Sequence, residues 1–154
     1  MTLEQVSEAL PSYAKDLKLN LSSVFSQAEL TAQQTWGTAV ATALASRNST
    51  LYRAIATEAE KTLSPEVLEG AKAAAAIMGM NNIFYRFQHL VGNEKYSTIP
   101  TRLRMNVIRT HGASPVDFEL WCTAVSAVNG CGQCIIPFEP GKLELLPNHP
   151  DGLF

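Results

Sequence analysis

Over the first 130 residues the apolar side chains recur every three or four positions, as on a helix face, and no window alternates in the manner of a half-buried strand. Thr2-x-x-Gln5 reads as a capping box that opens a short helix. Pro11 suits the first turn of a second segment, in which Tyr13, Leu17, Leu21 and Val24 fall near helical spacing. Thr31-x-x-Gln34 is another capping box; behind it Trp36, Val40 and Leu44 repeat every four residues, and Asn48 reads as the stop. Ser49 or Thr50 is the expected cap of the next element, which carries Leu51, Ile55 and Ala59 along one face. Ser64-Pro65 is an N-cap followed by proline at the first helical position, predicting a helix that runs to Gly92. Residues 73–80 at its centre are apolar almost all round, the pattern of a helix buried on every side. Gly70, Gly79 and the alanines there leave room for neighbouring helices to come close. The stretch TRLRMNVIR predicts a helix after Pro100, ending near His111-Gly112. Ser114-x-x-Asp117, with Pro115 at the first position, opens PVDFELWCTAVSAVN, which Gly130 can close in a left-handed cap. The expected fold is all-α, five to seven helices packed as one bundle.

Composition agrees with that picture. A chain of 154 residues, 46% apolar and 17% charged, is of a size to close one hydrophobic core. Twelve Lys and Arg against fourteen Asp and Glu give a net charge of −2, which argues against a nucleic-acid-binding surface. No stretch reaches the roughly 18–20 uncharged apolar residues of a membrane span. The opening MTLEQVSEALPSYAKD has neither the basic nor the apolar region of a signal peptide, so the expected setting is the cytoplasm, with no membrane partner. Charge and proline are nonetheless unevenly placed. Residues 1–136 hold eleven acids and eleven bases, while the last eighteen, PFEPGKLELLPNHPDGLF, carry the whole net charge and four of the eight prolines. Prolines at 137, 140, 147 and 150 exclude a continuous helix there. The chain is therefore expected to divide into a helical domain, 1–136, and a divergent proline-rich tail, 137–154.

The chemistry-bearing motif is Cys131-Gly132-Gln133-Cys134, a C-x-x-C directly after a helix stop. Two thiols at this spacing can close a disulfide and exchange it with that of another molecule, provided one of them ionises. Half of a metal site and a pair of incidental cysteines are the competing readings. Cys122 and His149 do not complete a common zinc spacing with the motif, and no second C-x-x-C exists. Cys122 itself, beside Trp121, reads as a small buried hydrophobe. Glu119, Thr123 and Ser126 form a polar stripe on the same otherwise apolar helix. In such a setting a carboxyl group can have a raised pKa and move protons, but from the residues alone the favoured reading of Glu119 is an exposed first-turn acid stabilised by the helix dipole. His89 reads as solvent-facing, His111 as a helix exit, and Arg102, Arg104 and Arg109 as a solvated basic face. Trp36, Phe84, Tyr85 and Phe87 read as core or interface. No phosphate loop, Ser/His/Asp order signal or HExxH is present.

In order along the chain, ALPSYAKDLKLNLSSV, QQTWGT, AAIMGMNNIFYR, RLRMNVI and FELWCTAVSAVNGCGQC together resemble the alkyl hydroperoxidase D-like family of the carboxymuconolactone decarboxylase superfamily. The resemblance spans about residues 1–136 and is closest to the alkyl hydroperoxide reductase D proteins. It implies an all-α fold, a homotrimer and a thiol-dependent antioxidant activity. Electrons would pass from a dihydrolipoyl group on a lipoyl-carrying protein to a partner peroxiredoxin, alkyl hydroperoxide reductase C, with weak peroxidase activity besides and no bound cofactor or metal. Carried onto this chain, the resemblance makes Cys134 the attacking cysteine, Cys131 its disulfide mate and Glu119 part of the proton relay. Gln133 and Phe138 stand where the family pattern has histidines, and the tail replaces the usual final helices. Those departures carry the alternative reading, an oligomeric interaction protein whose proton relay is incomplete. A carboxymuconolactone-type decarboxylase is a third reading, though such sites do not rely on the C-x-x-C.

Overall fold

The computed structural model describes residues 1–135, so the proline-rich segment 137–154, with Phe138, lies outside the described residues. The described chain is all-α and forms a single domain, with eight α-helices, three short 3-10 turns and no strand among these residues. The helix count exceeds the expected range because two helices are single turns of four residues. In order the helices are α1 (Leu3–Glu8), α2 (Lys15–Ser23), α3 (Ala32–Ala45), α4 (Ser49–Ala59), α5 (Pro65–Val91), α6 (Glu94–Ser97), α7 (Pro115–Asn129) and α8 (Gly132–Ile135). None of them is long and apolar enough to cross a membrane.

Both capping boxes form as the sequence predicts. Thr2 and Thr31 accept from the backbone N–H of Gln5 and Gln34, and each glutamine side chain accepts from the N–H of its threonine. Ser64 and Ser114 cap α5 and α7 ahead of their prolines, and Gly92 closes α5 in the left-handed region. Asn48 caps the start of α4, where Ser49 or Thr50 was expected. Its side-chain oxygen accepts from Thr50 and Leu51, which makes Ser49 the first helical residue. Pro11 precedes a 3-10 turn, Ser12–Ala14, so α2 starts only at Lys15.

The core lies where α3, α5 and α7 pack against one another, with α4 on α3 and α1 on α4. Trp121 of α7 is its largest wholly buried side chain. It fits because α3 has a glycine opposite: a Cβ on Gly37 would run into the indole ring. Gly70 has a similar role on α5, where a Cβ would come within 2.7 Å of the His111 carbonyl oxygen. Gly79, by contrast, faces no neighbour.

Two sequence expectations fail in this half of the chain. Residues 73–80 are not buried on every side: Ala76 is exposed, and Ala73, Gly79 and Met80 are half-buried, because no described element covers that edge of α5. TRLRMNVIR is not a helix. Arg102 takes a left-handed φ of 49°, which breaks the helical path, and only the 3-10 turn Asn106–Arg109 remains. Arg102, Arg104 and Arg109 are exposed but share no helical face.

Candidate active site: the C-x-x-C at the end of α7

The motif is placed by the way α7 ends. Gly130 adopts φ 67° and ψ 37°, a conformation glycine enters without a Cβ penalty. Its N–H donates to Ala127 O at 3.1 Å, and the N–H of Cys131 reaches back to Ser126 O at 3.0 Å. These two bonds make a Schellman motif, which turns the chain back onto the bundle and buries Cys131 completely. The N–H of Cys134 donates to Cys131 O at 3.0 Å as α8 begins. The single turn of α8 packs on α5 and α7, and it places the two Cα atoms 5.3 Å apart with a disulfide joining Cys131 to Cys134. Cys134 is buried as well, and the exposed surface of the motif is Gly132 and Gln133.

Glu119 lies three turns before the motif on α7 and is half-buried. Burial raises its carboxyl pKa above the ordinary carboxylate range, as its apolar flanks led the sequence to suggest. Its nearest thiol one turn on is Cys122, a free cysteine as buried as expected. Burial, and then the Glu119 charge, push the Cys122 thiol far up, so it is an inert hydrophobe at neutral pH. The structure thus brings Cys131 and Cys134 together, whereas no described residue hydrogen-bonds the Glu119 carboxylate.

Around the motif lies a polar network that the sequence does not announce. Asn82, buried in the middle of α5, donates its Nδ2 to Ser126 Oγ at 3.0 Å and accepts at Oδ1 from Asn129 Nδ2 at 3.0 Å. Ser126 Oγ in turn donates to Cys122 O at 2.8 Å. Arg86, one turn further along α5, donates Nη1 to Asn129 O and so satisfies one of the last carbonyls of α7. The last two turns of α7, from which the motif hangs, are therefore held to α5 by side chains as well as by packing. The signal available beforehand is the Asn81-Asn82 pair, two consecutive amides in an apolar helix.

His89 is exposed, as expected, and its Nδ1 stands 3.4 Å from Gln133 Nε2 of the motif. His111 is not the exit of an α-helix, since only a 3-10 turn precedes it. Its ring stacks on Phe118 at 3.9 Å between centroids, its Nδ1 accepts from the N–H of Ala113, and burial lowers its pKa. Among the described residues no group of three or more His, Cys, Asp or Glu is arranged to hold a metal ion.

No protein-family model matches the chain. Among curated proteins it is 60% identical over 135 residues to a Solibacter usitatus protein, covering 88% of this chain and 76% of that one. It is 61% identical over 136 residues to a Koribacter versatilis protein, covering 88% and 70% respectively. Over 135 residues it is 54% identical to a Streptomyces coelicolor protein, covering 88% and 76%. All three relatives are named alkyl hydroperoxide reductase AhpD.

Proposed function

Because the chain belongs to the alkyl hydroperoxide reductase AhpD family, we propose that it is a thiol–disulfide oxidoreductase of peroxide defence, working through Cys131 and Cys134. The observation that carries this reading is the disulfide itself. The two cysteines are held at bonding distance by a capped helix end, next to a turn short enough to move.

The electron donor is a dihydrolipoyl group. One of its thiolates attacks the sulfur of Cys134, forming a mixed disulfide and releasing Cys131, which takes up a proton. The donor's second thiol then closes the lipoyl disulfide and releases Cys134 as a thiolate. That thiolate attacks the disulfide of a partner peroxiredoxin, alkyl hydroperoxide reductase C. Cys131 resolves the new mixed disulfide, so the partner leaves as a dithiol and the Cys131–Cys134 bond is restored. In the weak peroxidase branch Cys134 attacks an alkyl hydroperoxide, giving the alcohol and a sulfenic acid, and Cys131 displaces water from it.

Glu119 is proposed as the proton relay. Its support is that burial raises its pKa, which makes its carboxylate a better proton acceptor than an exposed one. Both sulfurs of the oxidised pair lie beneath Gly132 and Gln133, so exchange requires α8 to tilt away from α5 and α7. The reading extends to a homotrimer, as the family resemblance implies, and to a cytoplasmic setting.

The test is dihydrolipoamide-driven reduction of the partner peroxiredoxin. C134S should abolish turnover, and E119Q should slow it by about a hundredfold, the ordinary contribution of a general acid–base group. Unchanged turnover in C134S would remove the thiol pair from the mechanism. Equal rates for E119Q and the parent would remove Glu119 alone.

A further inference from the structure

Away from the C-x-x-C, an apolar trough of about 370 Å³ lies between α2 and α3, lined by Leu21, Val24, Phe25, Ala39, Leu51 and Ile55. Ser46 and Val128 line both this trough and a second cleft of about 300 Å³, which Arg47, Arg86, Asn82 and Asn129 also line. Both volumes fall in the range of about 300–1,000 Å³ usual for small-molecule sites. An apolar compartment therefore adjoins a cationic one.

Among the described residues no side chain cancels the charge of the second cleft. No described acidic side chain lines either compartment, and neither guanidinium forms an ion pair with a described residue. Helices α3 and α7 both end at this cleft, and each C-terminus presents about half a negative charge. Two guanidiniums against two such ends leave a balance of roughly one positive charge. Arg86 satisfies a carbonyl of α7 and so has a structural duty. Arg47 has none of that kind: it occupies the left-handed position after α3, φ 61°, where glycine is the usual residue.

We propose that the trough and the cleft form one binding site for a free medium-chain fatty acid, its chain in the trough and its carboxylate between Arg47 and Arg86. The guanidinium fork matches a carboxylate, and a single positive balance suits a monoanion better than a dianionic phosphate. The inference is independent of the thiol chemistry, since binding is read on the protein whether or not Cys134 turns over.

Calorimetric titration with decanoate below its micelle concentration tests it, with decanol and decyl phosphate as comparison arms. Decanoate should bind in a saturable one-to-one manner, about tenfold more tightly than decanol, the scale of one charge-assisted contact. R47G should weaken decanoate about tenfold and leave decanol unchanged. Glycine suits the left-handed backbone at that position, so a loss of affinity in R47G cannot be assigned to misfolding; an unchanged melting temperature confirms this. Association without saturation, equal affinity for decanol, tighter binding of decyl phosphate, or indifference to R47G would each overturn the proposal.

Discussion

The helices at the N-terminus and those of the α3–α5–α7 core obey the same local rules and differ in what holds them. Helix α1 has a complete capping box, yet neither α1 nor α2 buries a single residue, and Leu17 and Leu19 on α2 are more than half exposed. Helices α3, α5 and α7 are capped equally well, but each also sets a file of small or apolar side chains into its neighbours. Local capping makes a helix possible, and burial makes it indispensable. The contrast teaches that the stability of this domain resides in the core, and that α2 acts as a loosely held wall of the apolar trough.

Substitutions should divide along that line. Trp121→Ala empties the centre of the core and should cost about 3–5 kcal/mol in a denaturant titration. A far smaller loss would mean that the core does not carry the fold. Gly37→Val forces side-chain atoms into the indole and should cost about 1–3 kcal/mol, or more if the α3–α7 spacing cannot relax. Asp117→Ala comes next, at about 1–2 kcal/mol. It leaves the side-chain amides of Gln33 and Gln34 without the carboxylate they bond at 2.7 and 3.0 Å.

Glu119 offers a finer test, because its burial works against the fold. Its folded-state carboxyl holds a proton more readily than the unfolded chain does, since its pKa lies above the ordinary 4.5. Stability should therefore fall as pH rises from about that ordinary value through the raised one. E119Q should remove this pH dependence and, above the raised pKa, melt slightly higher than the parent. Leu17→Ala should have the smallest effect, within about 0.5 kcal/mol, because the side chain is exposed. A larger loss would show α2 docked more firmly than its exposure indicates.

What could be read in the sequence follows from range. The Thr2 and Thr31 capping boxes, the Ser-Pro starts of α5 and α7 and the Gly130 stop are each decided within five residues, and all formed. Asn48 misled because α3 and α4 are joined so tightly that the residue read as ending one helix caps the next. TRLRMNVIR has acceptable helix formers, and the backbone turns at Arg102 and Met105 that break the helix are not revealed by composition. Asp117 was legible as part of a cap, whereas its amide partners lie 84 and 83 residues away, beyond any local pattern. The same holds for Asn82 with Ser126 and Asn129. At the site, the cysteine pair was legible from spacing alone. Only the structure, by contrast, makes clear that the Glu119 charge bears on Cys122.

The Schellman turn at Gly130 makes the two cysteines unequal. Cys131 is tethered through its own amide to buried Ser126, and so is fixed to the last turn of α7. Cys134 rides on a single turn that begins beyond that tether. Apart from the disulfide, Cys131 is moored to α7 by its own amide, whereas Cys134 reaches α7 only through Cys131 O and the packing of α8. In the exchange proposed above, the backbone thus sets the roles of the two sulfurs before any side chain ionises.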